Sequence, residues 1–408
     1  MIEIPSSQLG WRMAVLPFRT VGTQVGHGLA LGMAEEVSAA LSRFRAPRLT
    51  ATVTFWDGSG RVADALTRCR TYQLDYIVDG TMQVIGNDVR VTVTLLDVVL
   101  DFEVIWTGRF DGRLDDLFSL QHRIASETVA QIDPELFQHA PVHEASAQTG
   151  IAAAHHAVLT AIQAIFRLDQ PKFMQARELL TNAIELDPDY AAAHAWLAYW
   201  SIMAVGQGWV EDPRDVTAMA GVVAERAVLL DPLDARALAI AGHVKAYLLH
   251  DVKTALSMHA RAIELNPNLP IAWTLSSCSK FYNGEHEIAI RHALTALSLS
   301  PRDPFIFFME HVLTTALFFN RHLEEAEMLA ETVLERNPGH ASAINVHLAI
   351  LGHLGRHEEA KQWLAKLQEI DPHVSVEKIV SRAPLRPNDR AFYMDGLRRA
   401  GVPETPRD

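Results

Sequence analysis

The chain has 408 residues, of which 49% are hydrophobic and 21% are charged. This ordinary globular composition supplies enough material for two or three separately packed cores, and it excludes the disordered and fibrous classes. The 36 Lys and Arg residues stand against 49 Asp and Glu, and a net charge of −13 would repel a phosphate backbone, so we expect no direct binding to nucleic acid by this chain alone.

Residues 11–134 have the pattern of an α/β domain. Short apolar runs predict buried strands, apolar residues at helical spacing predict helices, and Gly86-Asn-Asp88 between two alternating segments predicts a β-hairpin. The predicted elements are a strand at 12–18, a helix at 32–44, a strand at 47–55, a helix at 62–73, strands at 75–85, 89–96 and 103–110, and a helix at 114–132. We therefore expect a mixed sheet with helices.

Several segments of this region resemble the TolB-like amino-terminal domain found ahead of repeats in bacterial adenylate cyclases and winged-helix transcriptional regulators. These segments are Ala14-Val-Leu-Pro-Phe18, Gly32-Met-Ala-Glu-Glu36, Leu41-Ser-Arg-Phe44, Tyr76-Ile-Val-Asp-Gly80, Val89-Arg-Val-Thr-Val-Thr-Leu-Leu-Asp97, Trp106 and Leu117-Phe-Ser-Leu-Gln121. The closing Gly396–Glu404 is similar to the tail of the same regulators. Neither the cyclase catalytic domain nor the winged-helix domain precedes residue 11. The resemblance therefore implies a regulatory architecture without a reaction.

A repeated pattern follows a predicted linker at 135–150. Prolines recur at intervals of 44, 35, 34, 37 and 34 residues, each after a helical segment that ends in Asp, Asn or Ser, and an alanine lies twelve residues before each proline. A small residue at a fixed distance from a helix end is typical of two closely crossing helices. The prolines are 188, 232, 267, 301, 338 and 372, and the alanines are Ala176, Ala220, Ala255, Ala289, Ala326 and Ala360.

This spacing resembles the tetratricopeptide repeat over about residues 150–372. It implies an all-α solenoid of about six helical hairpins at 151–373, followed by a helical tail at 374–408. The aromatic residue that the family places four residues after the alanine is absent from the six copies. An insertion at 206–213 lengthens one turn and offers Trp209 as a loop contact, either free to bind or folded back on its own repeat.

The first helices of the repeats should line an apolar and aromatic groove, which is the predicted partner site. An apolar lining favours a protein partner that presents an apolar peptide or helix, from another protein or from a second copy of this chain in a homo-oligomer. The alternative is that a tight superhelix or the chain's own helix at 388–400 buries the groove. The predicted groove residues are Tyr199, Met203, His243, Tyr247, Cys278, Tyr282, Phe308, Val312 and Ile350.

The search for chemistry in the sequence yields no catalytic motif, so we expect neither an enzyme nor a cofactor. The nineteen histidines are dispersed, which favours packed or solvent-facing side chains over a metal site. Cys69 and Cys278 are too few for a disulfide framework, and no apolar run reaches the roughly 18 residues of a membrane span. We expect a cytoplasmic protein that does not insert into membranes.

Two functions remain open at this point. The first is a non-enzymatic bacterial regulatory or scaffold protein that binds partners through the groove. The alternative is the sensory portion of a transcriptional regulator or adenylate cyclase whose output domain lies upstream or on another chain.

Overall fold

The structure is a computed structural model in which the chain forms two compact units, Met1–Ala147 and Gln148–Asp408. The described residues are 11–21, 27–44, 48–50, 52–55, 69–116, short stretches between 120 and 132, and 150–405 apart from 211, 301, 302 and 304. Most of the predicted linker at 135–150 and most of the predicted helix at 62–73 lie outside the described residues.

The first unit contains a mixed sheet, as predicted. Its described strands are β1 (Arg12–Val15), β2 (Arg19–Val21), β3 (Arg48–Thr50), β4 (Tyr76–Ile85), β5 (Asp88–Asp97) and β6 (Glu103–Arg113). The order is β3-β1-β4-β5-β6, with β2 also paired to β4. The pairings of β1 and β2 are parallel, whereas β4, β5 and β6 form an antiparallel meander.

Alternation along β5 explains how this sheet acquires one apolar face. Val91, Val93 and Leu95 are fully buried, and the polar residues between them are not. Helix α1 (His27–Leu41) contributes Met33 and Val37 to the core of the same unit.

Several predicted boundaries in this unit differ from the structure. The helix predicted at 32–44 is α1, which begins five residues earlier, and the strand predicted at 103–110 continues to Arg113. The strand predicted at 12–18 ends at Val15, and β2 was not predicted because three residues are too few to establish a period. The strand predicted at 47–55 is β3 followed by a 3-10 turn, Thr52–Phe55. The helix predicted at 114–132 begins as a 3-10 turn at Leu114–Asp116, with helical residues described between 120 and 132.

The second unit is the predicted solenoid of helical hairpins. Over residues 150–370 the described helices pair as α2 (Gly150–Arg167) with α3 (Gln170–Leu186), α4 (Ala191–Gln207) with α5 (Pro213–Leu230), α6 (Ala235–His243) with α7 (Val252–Leu265), α8 (Pro270–Tyr282) with α9 (His286–Leu299), α10 (Ile306–Phe319) with α11 (Leu323–Arg336), and α12 (Ala341–Leu354) with α13 (His357–Ile370). A π-helical turn, Val244–Leu248, extends α6. The tail adds α14 (Val376–Ser381) and α15 (Pro387–Arg399).

The alanine register marks the crossing within each hairpin. All six alanines are fully buried. At one crossing the Ser277 hydroxyl of α8 donates to the Ala289 carbonyl of α9 over 2.8 Å, so the two backbones approach to within one small side chain. At another, the His259 ring of α7 reaches the Ala239 carbonyl of α6 at 3.0 Å, in the position where the family has its aromatic residue.

The helix ends before the prolines follow one local device. Asp187, Asp231, Asn266, Asn337 and Asp371 each cap a helix, and the side chain of each accepts a hydrogen bond from the backbone N–H two residues later. This turn bridges the proline, which has no N–H of its own and cannot continue the helix. The residues at these five positions therefore set where five of the six second helices end.

Replacing Ala289 with Leu should overpack the crossing of α8 and α9. We expect the free energy of unfolding to fall by about 1–3 kcal/mol. The matched control is Ala218→Leu on the exposed face of α5, where a change within about 0.5 kcal/mol is expected. Equal denaturant midpoints for the two variants would show that the assigned crossing is wrong.

Candidate functional site

The solenoid closes on itself, because its second hairpin meets its sixth. The backbone N–H of Ala341 donates to the Gln207 side chain over 2.9 Å, and the Ser342 hydroxyl donates to the Gly206 carbonyl over 3.0 Å. Gln207 is the last residue of α4, and Ala341 is the first of α12. The concave face is therefore a closed interior rather than an open groove along these hairpins.

The carboxy-terminal tail lies across the ends of the first helices of the later hairpins. Its polar clamp is Asp389 of α15, whose carboxylate lies 3.1 Å from His286 Nε2 and 3.4 Å from an Arg321 guanidinium nitrogen. Asp389 is buried, at 5% exposure. At the beginning of α15, Arg386 donates to the Asn283 side chain over 3.1 Å. These groups fix the tail on two successive hairpins.

An aromatic contact holds the middle of α15. The Phe392 ring stacks on the His353 ring with centroids 3.9 Å apart and planes within 10°, and the Arg321 guanidinium lies over Phe392 at 3.4 Å from the ring centre. Tyr393 packs edge-on against Phe318 and Phe319. The hydrophobic area and the cation–π contact together stabilise this segment against the concave face.

Two glycines set the distance between α15 and α12. A Cβ atom on Gly396 would lie 2.5 Å from the Ala349 carbonyl oxygen, and a Cβ atom on Gly352 would overlap the Gly396 carbonyl oxygen. Both clashes involve backbone atoms, which cannot move aside like the end of a side chain. Glycine is therefore required on both helices at this crossing.

A cavity of about 120 Å³, here called the chamber, remains between the concave face and the tail. Seven of the nine predicted groove residues line it, from four first helices and the π-turn: Met203, His243, Tyr247, Cys278, Tyr282, Phe308 and Val312. Tyr199 and Ile350 are fully buried and do not line it; Tyr199 packs on Trp196 and Phe305. The superhelix is closed, and the chain's own tail contributes to the wall of the chamber. Both features were considered above as reasons why the groove would be buried.

Trp209, the predicted loop contact, is folded back. Its ring meets the Phe173 ring of the preceding hairpin edge-on at 4.9 Å, and its side chain is half-buried. The neighbouring Phe173 carbonyl accepts a hydrogen bond from the Trp200 indole. These contacts join the first two hairpins and leave part of the Trp209 ring exposed.

The chamber has a polar component that the apolar groove prediction missed. His311, His340 and Asn345 line it beside His243, and the tail adds Arg382. Burial lowers the pKa of His243 to about 3 and of His311 to about 4, so both imidazoles are neutral at pH 7. Helix register could have predicted His243, His311 and Asn345 as inward-facing, because they lie on first helices. It could not show that these side chains, which come from hairpins distant in sequence, line one chamber.

The cysteines are unreactive at neutral pH. Both are buried, and burial raises the pKa of the Cys69 thiol to about 11 and that of Cys278 further. In the part of the chain that the structure describes, no three His, Cys, Asp or Glu side chains are grouped as metal ligands. Among the same residues, no helix is both long enough and apolar enough to span a membrane.

The tetratricopeptide repeat family model matches residues 342–374, which form the hairpin of α12 and α13. This hairpin is therefore a tetratricopeptide repeat. It is 26% identical over 215 residues to the putative adenylate cyclase 3 of Rhizobium meliloti (strain 1021), and this match covers 52% of the chain and 36% of that protein. The chain therefore spans about a third of the length of the curated relative. The resemblance of the first unit to TolB-like domains stays a prediction.

The solved structures that are similar to this chain include YrrB, which is described as a tetratricopeptide repeat protein. Pseudomonas aeruginosa PilF is 18% identical, with 54% of this chain and 94% of that chain covered and a TM-score of 0.35. YrrB, described as having an unusual peptide-binding site, is 21% identical, with 48% and 94% covered and a TM-score of 0.30. The Cut9–Hcn1 assembly is 15% identical, with 70% and 49% covered and a TM-score of 0.44. These likenesses concern the fold alone.

Replacing Gly396 with Ala should loosen the tail, because the added methyl group meets the Ala349 carbonyl. We expect a loss of about 1–3 kcal/mol in unfolding free energy and faster trypsin cleavage after Arg390 and Arg398. Gly221→Ala on α5 is the control, since its Cβ atom would lie at an ordinary 3.6 Å from Leu249. A tail as resistant in Gly396→Ala as in the control would contradict the crossing described above.

Proposed function

We propose that this chain is a non-enzymatic bacterial regulatory or scaffold protein whose repeats bind a partner protein through an apolar helix. The observation that supports the proposal is that the chain's own helix α15 already packs its Phe392 and Tyr393 rings against these hairpins. A partner helix would exchange with α15 for the same contacts. A second copy of the chain carries the same tail, so a homo-oligomer would arise by reciprocal exchange of α15.

The contacts of α15 define what a partner helix must present. Asp389, Phe392, Tyr393 and Gly396 are spaced i, i+3, i+4 and i+7, so they occupy one face of the helix. The matching partner has an acidic residue, then two adjacent aromatic residues, then a small residue. The carboxylate would bind Arg321 and His286, and the small residue would contact Gly352.

The tail competes with any partner because it is attached to the same chain. An intramolecular segment acts at an effective concentration in the millimolar range, so a partner with only the same contacts binds weakly. Binding becomes strong where something loosens the tail. The chain would then act as a regulated module, because its affinity for the partner helix depends on whether the tail is bound or displaced.

A labelled synthetic peptide of residues 374–405 tests this exchange. We expect the full chain with Gly396→Ala to bind the peptide at least tenfold more tightly than the wild type, because its own tail competes less. Fluorescence anisotropy gives the affinities, and trypsin cleavage of the tail shows that Gly396→Ala is loosened.

The matched control is the same peptide with Phe392→Ala, which lacks the central ring and should bind at least tenfold more weakly. If a demonstrably loosened protein fails to bind the wild-type peptide, the concave face is not a helix-binding site. Equal binding of the two peptides would show contact without the proposed specificity.

One observation favours the alternative function. The match to the putative adenylate cyclase 3 covers 36% of that protein, so most of that relative lies outside the shared region. The same arrangement here would make this chain the sensory portion of a cyclase or a transcriptional regulator. The output domain would then be upstream or on another chain.

The mass of the endogenous protein separates the two proposals. A free-standing regulator predicts a polypeptide near 45.3 kDa when the protein is isolated from its native cell and analysed by intact-protein mass spectrometry. A larger polypeptide that contains this sequence would favour the alternative. Partners that co-purify under the same conditions would identify an output domain on another chain.

A further inference from the structure

The chamber has the size of a small-molecule site. Its volume is about 120 Å³, and an apolar cavity of about 150 Å³ is enough to bind benzene. The tail residues Ile379, Arg382 and Tyr393 help to enclose it, so a second helix or an extended peptide has no room while the tail is in place. An occupant of the closed form has the dimensions of a single ring.

Four residues that line this space carry a buried polar atom without a protein partner. His243, His311, His340 and Asn345 all line the chamber, and in each of them a buried atom makes no hydrogen bond within the protein. These atoms are Nδ1 of the three imidazoles and Oδ1 of the amide. An unpaired buried polar atom costs about 1–3 kcal/mol, and native proteins contain few of them. A purely apolar occupant would leave that cost in place.

The imidazoles of the chamber offer no charge to an occupant. Burial holds the pKa values of His243, His311 and His340 well below 6.5, so the three rings are neutral at pH 7. The Asp371 carboxylate is shared by Arg382, at 3.4 Å, and Lys378, at 2.7 Å. The unpaired Asn345 Oδ1 can only accept a hydrogen bond, so a neutral donor fits it and an anion, which also loses its hydration, does not.

Flat rings form one wall of the chamber. The rings of His243 and Tyr247 are stacked with centroids 5.7 Å apart and planes within 5°, and Tyr282 continues the row at 6.5 Å and 13°. A row of nearly parallel rings favours a flat aromatic occupant, which gains offset or edge contacts with them.

We propose that the chamber binds a small, uncharged aromatic molecule that carries a hydrogen-bonding group. The site belongs to the closed form with the tail in place. A partner helix, in contrast, needs the tail displaced, so the two proposals are tested by separate experiments.

Phenol is the probe, because it combines one ring with one hydroxyl group. Ligand-observed NMR titrations use the full wild-type chain. We expect saturable binding of phenol that is at least tenfold tighter than that of toluene, which lacks the hydroxyl, and no saturable binding of benzoate, which is charged.

Thr315→Met fills the chamber and is the blocking variant. The Thr315 hydroxyl bonds only to the His311 carbonyl of its own helix, so the change removes one local bond and adds volume at the lining. Thr332→Met is the matched control, since the Thr332 hydroxyl makes the same bond to Met328 away from the chamber. We expect Thr315→Met to lose phenol binding and Thr332→Met to keep it.

His311→Phe tests the polar part of the site with a ring of similar size. We expect phenol affinity to fall roughly tenfold and toluene affinity to rise, so that the preference reverses. A general loss of folding would weaken both probes together.

Three results would overturn the proposal: no saturable phenol binding to the wild type, equal phenol binding to Thr315→Met and the wild type, or toluene binding as tight as phenol. A failure of the peptide exchange in the Gly396→Ala protein bears on the proposed function and leaves these titrations unaffected.

Discussion

The close approach of helices across small residues is the constraint on which the second unit depends. A crossing with one alanine between two helices fixes the interaxial distance, and six crossings in one register repeat the same geometry. The hydrogen bonds from Ala341 and Ser342 to the end of α4 close the superhelix, and such bonds tolerate errors of only a few tenths of an ångström. A wider crossing at any hairpin would accumulate along the row and separate these groups.

Closure in turn determines the chemistry of the interior. Side chains that would face water in an open superhelix are desolvated here, which is why the pKa values of His243 and His311 are lowered. Burial also raises the pKa of Tyr282 well above 10, so the phenol stays protonated. The interior therefore acts through hydrogen bonding and ring contacts, and its few ionic groups are paired at the margin, as Asp389 is with Arg321 and His286.

The hairpins were predictable from the sequence because their signals are local. The turn at each proline depends on residues two positions apart, and the alanine register depends on one helix pair. The closure was not predictable, because Gln207 and Ala341 are 134 positions apart and no periodic signal links them. The inward-facing residues of the groove were assigned from helix register, whereas the polar lining from His340, Asn345 and Arg382 depends on how distant hairpins and the tail meet.

In the first unit, the β4–β5 hairpin was predicted from the alternation of apolar and polar residues and from its turn. Strand β2 was too short to give a period.

The chamber and the tail are thermodynamically linked, since the same residues enclose one and are bound by the other. A molecule that binds the chamber only while the tail is in place stabilises the closed form by a factor set by its concentration relative to its dissociation constant. By reciprocity, it weakens a partner helix that needs the tail displaced, and the partner weakens the small molecule by the same factor. No separate device is needed to transmit this effect, because Tyr393 contributes both to the chamber wall and to the contacts of α15 with Phe318 and Phe319. A solenoid closed by its own tail can thus couple a small-molecule site to a protein site through a single helix.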